Sequence, residues 1–216
     1  MSPDHFFTDK KPAAIIFDLD GTLVSSSLDF SVIRESLGCP QDVDILKFVN
    51  RLPAQARSNA ENKIIEFEIA DALSSQKLNG TDELLALLAS LNLPVAIVTR
   101  NCQQAAQIKL SKNNLDIPIV LTREHHPAKP APDALLHIAN QWQILPQDIM
   151  YVGDYLYDIQ AADNARMMSC LLTYGQPLHY ADLATVVVDD LNKLFQMFKL
   201  YNKENSNVAD YCCDFV

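Results

Sequence analysis

The chain has 216 residues, 49% of them hydrophobic and 20% charged, the composition of an ordinary globular protein with room for one α/β domain carrying a modest insertion, or for two small domains. Its net charge of −10 (17 basic residues against 27 acidic) argues against nucleic acid as a main partner, because phosphate backbones need basic surfaces. No stretch approaches the roughly 20 apolar residues that span a membrane. Met1 to Pro12 lacks the apolar core of a signal peptide. The five scattered cysteines, Cys39, Cys102, Cys170, Cys212 and Cys213, lack paired metal spacing and read as reduced thiols of a cytoplasmic protein. Cys212 and Cys213 lie in a polar, aperiodic tail from Asn202 onward that is expected to fray.

In chain order, the first element is the apolar run Ala13 to Phe17, read as a buried strand that ends in Asp18-Leu19-Asp20-Gly21-Thr22. Strand side chains alternate faces, so Asp18 and Asp20 would point the same way if the strand continued straight. Two acids held so close repel, and one keeps its proton unless a cation neutralises the pair. The tip is therefore a metal site, an acid/base pair or both, although alone it also fits a solvated turn. Residues 28 to 78 hold no convincing strand but several helical patterns. One runs from Ala54 to about Ser75, with Ile64, Ile65, Phe67, Ile69 and Leu73 as its apolar face and acids interspersed. Ser25, Ser26 and Ser27 lead into this insertion, suited to substrate contact or to flexibility.

From Thr81, placed as an N-cap, helices and strands alternate. Strands are expected over Leu93–Val98, Ile117–Leu121, Ile149–Val152, Met168–Thr173 and Thr185–Val188. Helices are expected after Thr81 and over Gln103–Lys112, Pro132–Trp142, Ile159–Ala165 and Leu191–Leu200. Such alternation predicts βαβ units: an α/β fold with a doubly wound, mostly parallel, Rossmann-like sheet covered on both faces, interrupted by a small helical insertion after the first strand.

In such a sheet, ligands bind outside the carboxyl ends of the strands. Chemistry-bearing residues recur there. Thr99-Arg100-Asn101 opens a strand-to-helix turn suited to an anion. Lys129, before Pro130, offers a point charge for phosphate. Asp154 and Asp158 add two carboxylates, which with Asp18 make an oxygen donor set of the hard type that Mg²⁺ prefers. His125 and His126 have no ligand partners nearby and read as non-metal.

The ordered set, Asp-x-Asp-Gly-Thr, then Thr, then Lys-Pro, then Gly-Asp-x-x-x-Asp, resembles the haloacid dehalogenase-like hydrolase superfamily over about Ala13 to Val188. The insertion resembles its small C1-type cap, as in phosphoglycolate phosphatase-like members. The resemblance implies a core of residues 12–24 and 79–200, a cap of 25–78 and a flexible tail of 201–216. It implies Asp18 as nucleophile forming an aspartyl-phosphate, and Asp20 as general acid and then base, its backbone carbonyl also facing the metal. It implies Thr99, the Arg100 amide and Lys129 as phosphate-binding groups, and Mg²⁺ on Asp18, Asp20, Asp154 and Asp158. Dehalogenases of the family lack an acid at the second position, so Asp20 favours phosphoester chemistry. The expected activity is Mg²⁺-dependent hydrolysis of a small phosphorylated metabolite. The alternatives are β-phosphoglucomutase-like phosphoryl transfer and a non-catalytic phosphate-binding module. Arg100 departs from the family's usual small residue or Asn; its side chain would reach a second substrate anion or point to solvent. Arg51 and Arg57 are further candidate contacts on the insertion. The sequence favours neither a monomer nor a homodimer, and gives no expectation of a membrane or nucleic-acid partner.

Overall fold

The computed structural model describes residues 11–200, so the tail with Cys212 and Cys213 and most of the N-terminal segment lie outside the described residues. Six parallel strands form one sheet in the order β3-β2-β1-β4-β5-β6. They are β1 Ala14–Phe17, β2 Val95–Val98, β3 Ile119–Leu121, β4 Ile149–Gly153, β5 Met168–Leu172 and β6 Val186–Val188. The order runs in opposite directions from β1, so β1 and β4 flank the switch point where such sheets bind ligands. The alternation of side chains explains why both faces are buried. Ile15, Phe17, Met150 and Val152 enter one hydrophobic cluster, while Ala14, Ile16, Ile149 and Tyr151 enter the other.

Strand starts differ from the sequence reading where proline intervenes. β2 begins after Pro94 and β3 after Pro118, since proline cannot donate to the ladder. The carbonyl of Pro94 still accepts the Ile15 N–H at 3.0 Å. Helices pack on both faces: α4 Thr81–Ser90, α5 Gln103–Lys112, α6 Asp133–Trp142 and α7 Leu156–Asn164 after the insertion, and a last helix over 191–200. Thr81 is the first helical residue rather than the cap: Gly80, at φ 87°, takes that position. The Thr81 hydroxyl instead donates to the Leu23 carbonyl at 3.1 Å, fixing the chain beyond the first motif. α7 starts three residues before the expected Ile159 because Asp158 accepts the Tyr155 N–H at 3.0 Å and closes the first turn.

The insertion's regular elements are all helices: α1 Phe30–Leu37, α2 Ile45–Asn50 and α3 Ala54–Ser74. Ile33, Ile45, Val49, Ala60 and Ile64 form its own small core. The expected apolar face of α3 is only partly right. Leu73 is exposed, while Glu68 and Asp71 are buried. Toward its C-terminus α3 packs on α5, where Ala72 meets Cys102 and Ala105, and there the buried acids find cations. No helix of the described residues is long and apolar enough to cross a membrane. Cys39, Cys102 and Cys170 are buried free thiols.

Candidate active site

The residues after β1, β2 and β4 and the loop before α6 meet at the carboxyl end of the sheet, around a cavity of about 540 Å³ whose lining includes Asp18, Asp20, Thr99, Arg100, Lys129, Asp154 and Asp158. All the core positions expected from the motifs are thus brought together. The register that pairs Phe17 with Val152 sets Asp18 beside β4, and the Asp18 N–H donates to the Val152 carbonyl at 2.8 Å. Two glycines permit the crowding. A Cβ at Gly21 would overlap the Asp154 carboxylate, and one at Gly153 would overlap that of Asp158. Gly21 also holds φ at 68°, a region other residues rarely adopt.

The two strand-tip acids occupy separate polar networks. Lys129, almost wholly buried, pairs with Asp18 at 2.8 Å and with Asp158 at 2.6 Å. Asp158 also accepts the Tyr151 hydroxyl at 3.2 Å, and its other oxygen takes the Tyr155 N–H. Asp20 turns the other way. One of its oxygens accepts Asn101 Nδ2 at 2.5 Å and the other pairs with Lys109. Asn101 also donates to the Thr99 hydroxyl at 3.2 Å, linking Asp20 to the turn after β2.

Burial raises the Asp18 carboxyl to about 7, Lys129 opposing and Asp158 reinforcing the rise. Burial, then the charges of Asp158 and Asp18, push Asp154 up to about 8. Burial also raises Asp20, against the pull of Lys109. For Lys129, burial favours the neutral amine but is outweighed by Asp158 and Asp18, which raise its pKa. The acids are therefore poorly accommodated as anions without further positive charge. Asp18, Asp154 and Asp158 offer carboxylate oxygens within 4.8 Å of one another, the one such group among the described residues that could hold a metal ion. Three hard oxygen donors, two of them on carboxyls raised by burial, fit a divalent cation. The Asp20 carboxylate lies outside that group.

The remaining candidates fare differently. The Arg100 side chain neither points to solvent nor is free for a substrate anion. It pairs with Asp44 at 2.6 Å, donates to the Lys129 carbonyl and lies over the Tyr157 ring at 4.6 Å. Arg51 and Arg57 are exposed and absent from the cavity lining. His125 accepts the Thr122 N–H at 3.1 Å, and His126 packs on His137. Ser26 and Ser27 both bond to Asp71 rather than hanging loose. Lys109, Asp71, Glu68 and Arg123 were not singled out as site residues by the sequence reading, and Asn101 entered only as part of the turn Thr99-Arg100-Asn101. For Lys109 a signal was available: it follows Ala105 and Ala106 by four and three residues, on the buried stripe of α5.

A family model described as haloacid dehalogenase-like hydrolase matches residues 15–172. The chain belongs to the haloacid dehalogenase-like hydrolases. This hydrolase is 34% identical over 170 residues to a haloacid dehalogenase-like hydrolase domain-containing protein of Arabidopsis thaliana, covering 73% of this chain and 69% of that one. It is 28% identical over 224 residues to a phosphoglycolate phosphatase of Pseudomonas syringae pv. syringae, covering 88% and 81% of the two chains. A solved hydrolase structure from Pseudomonas syringae has the same fold, with a TM-score of 0.71 at 22% identity over 85% of this chain and 96% of that one.

Proposed function

We propose that this phosphatase hydrolyses small phosphomonoesters in a magnesium-dependent reaction that passes through an aspartyl-phosphate on Asp18. The observation that carries the reading is the separation of the two strand-tip acids: Asp18 on Lys129 within the acidic cluster, Asp20 on Asn101 and Lys109 across the cavity. A nucleophile and a proton carrier need such different surroundings. Asp18 attacks phosphorus while Asp20 gives its proton to the leaving oxygen. Asp20 then takes a proton from the water that attacks the acyl phosphate, freeing phosphate and restoring Asp18. The Thr99 hydroxyl, the Arg100 N–H and Lys129 receive phosphoryl oxygens. Asp18, Asp154 and the Asp20 carbonyl would hold Mg²⁺, and Asp158, committed to Lys129 and Tyr155, would steady them and reach the ion directly or through water. Bound there, the cation screens the repulsion between Asp18 and the phosphoryl oxygens.

The resemblance to phosphoglycolate phosphatase supports a small phosphorylated acid as one substrate. Arg34, which lines the cavity from the insertion, supports it too: its Nη1 donates to the carbonyls of Pro40 and Val43, and no ion pair among the described residues includes it. We further propose that residues 25–78 act as the cap over a core of 12–24 and 79–200. The test is a phosphate-release screen over phosphoglycolate, sugar phosphates, nucleotides and pyrophosphate. Release that requires Mg²⁺ and stops on EDTA treatment is expected; no release from any ester would favour a binding module.

A second expectation concerns pH. Carboxyls raised from about 4 in the unfolded chain to about 7 and about 8 in the fold stabilise the fold fully only below the unfolded value. That contribution is lost as pH rises through the folded values. The cation-free protein should therefore melt at progressively lower temperature as pH rises toward 8, and the increment from added Mg²⁺ should grow over the same window. Scanning fluorimetry in EDTA and in Mg²⁺ measures both. An increment independent of pH would count against the cluster as the cation site.

A further inference from the structure

Lys109 is fully buried, with none of its side chain exposed, yet it sits between two acids from different parts of the chain. On one side is Asp20, whose side chain is 21% exposed toward the cavity; on the other is Asp71 of α3, at 2.6 Å. Asp71 in turn accepts the Ser26 hydroxyl at 3.0 Å, the Ser27 N–H at 2.6 Å and the Ser27 hydroxyl at 3.0 Å. Ser26 and Ser27 are the segment by which the chain leaves the core for the insertion. A continuous polar chain therefore runs from that segment through Asp71 and Lys109 to the acid beside the nucleophile.

We infer that Lys109 is the positioning residue for Asp20, and that Asp71 ties this positioning to the Ser26–Ser27 crossing. The inference rests on the reading of Asp20 as proton carrier. A carboxylate held at one oxygen can swing about its terminal torsion. Asp20 is held at both, by Asn101 on one and Lys109 on the other. That fixes the plane in which its proton is carried, and proton transfer needs the carboxyl oxygen within hydrogen-bond reach of the leaving oxygen. In the step concerned, the bond from phosphorus to the leaving oxygen breaks, that oxygen takes the proton from Asp20, and Asp20 is left as the carboxylate that Lys109 and Asn101 hold. A lysine placed only to fasten α3 to α5 would be satisfied by Asp71; the contact that reaches the cavity is the one to Asp20.

The dependence of kcat/KM on the leaving group separates positioning from general stability. It reads the steps up to departure of that group, where a strongly basic alkoxide needs the proton and nitrophenolate hardly does. Lys109→Met strands two carboxylates, so the double variant Lys109→Met/Asp71→Asn is made as well, removing the buried acid along with its partner. In whichever is folded by thermal melting, kcat/KM should fall by about 100-fold on an alkyl phosphate such as glycerol phosphate, the scale of a misplaced catalytic group. On 4-nitrophenyl phosphate it should fall by less than about tenfold. Equal losses on the two esters, or none, would overturn the assignment of Lys109. Asp20→Asn, assayed in parallel, should show the same steep dependence. If its loss is the same for both esters, the proton-carrier reading falls and the role of Lys109 with it. If Asp20→Asn is steep and the Lys109 variants are flat, only Lys109 is wrong.

Discussion

Asp18→Asn should lower phosphate release from any accepted ester to below about 10⁻³ of the parent rate, the scale on which loss of a nucleophile is felt, while the protein stays folded. The amide keeps the shape of the side chain but cannot displace an alcohol from phosphorus. The fold should tolerate it because Asp18 carries a proton-retaining carboxyl, raised by burial to about 7, and because Lys129 keeps Asp158 at 2.6 Å as a second partner. Steady-state assays in Mg²⁺ beside a thermal melt measure both halves. Turnover retained above a tenth of the parent rate would remove Asp18 from the mechanism; a large fall in melting temperature would show a structural role instead.

Lys129→Met should be the most destabilising change at the site. Lys129 is the cation between Asp18 and Asp158, and its side chain is 3% exposed. Methionine fills a similar volume but leaves the acids facing one another. Removing one member of a buried ionic cluster costs about 3–5 kcal/mol, because the remaining charges lose their partner without regaining water. Urea unfolding in EDTA should show that loss most fully at alkaline pH, where Asp18 and Asp154, raised by burial to about 7 and about 8, are ionised in the parent. Added Mg²⁺ should restore part of the stability while turnover stays low, since the variant lacks the ammonium proposed to bind phosphate. Stability equal to the parent in EDTA would mean that the acids do not depend on Lys129.

Much of this was legible in the sequence because it lies where chain order and spatial order coincide. Asp18 and Thr99 follow directly on strands predicted from apolar runs, Asp154 follows a third such strand after one glycine, and parallel strands set their carboxyl ends together. Lys129 was legible only through the order of motifs. The networks that divide Asp18 from Asp20 were not legible, since they depend on contacts between residues 81 and 89 positions apart, Asn101 and Lys109 each reaching Asp20. Glu68 and Asp71 read only as acids interspersed along a long helix, and they are buried because Arg123 and Lys109 meet them there. A helix that turns an acidic stripe toward its neighbour reverses the usual hydrophobic pattern. The Arg100 side chain was misread for a related reason: Asp44, its partner at 2.6 Å, lies 56 positions earlier in the chain.

The double allegiance of α3 bears on modularity. Its early turns carry Ala60 and Ile64 of the insertion's own core, while its later turns carry Glu68 and Asp71, whose counter-charges Arg123 and Lys109 belong to the sheet-bearing part of the chain. A transplant of residues 25–78 onto another scaffold of this fold would carry two buried acids away from their cations and leave two cations behind. The natural unit of exchange is therefore the insertion together with α5 and the loop holding Arg123. Substrate range in this lineage should then diversify by substitution along the cavity wall more readily than by recombination of whole inserts.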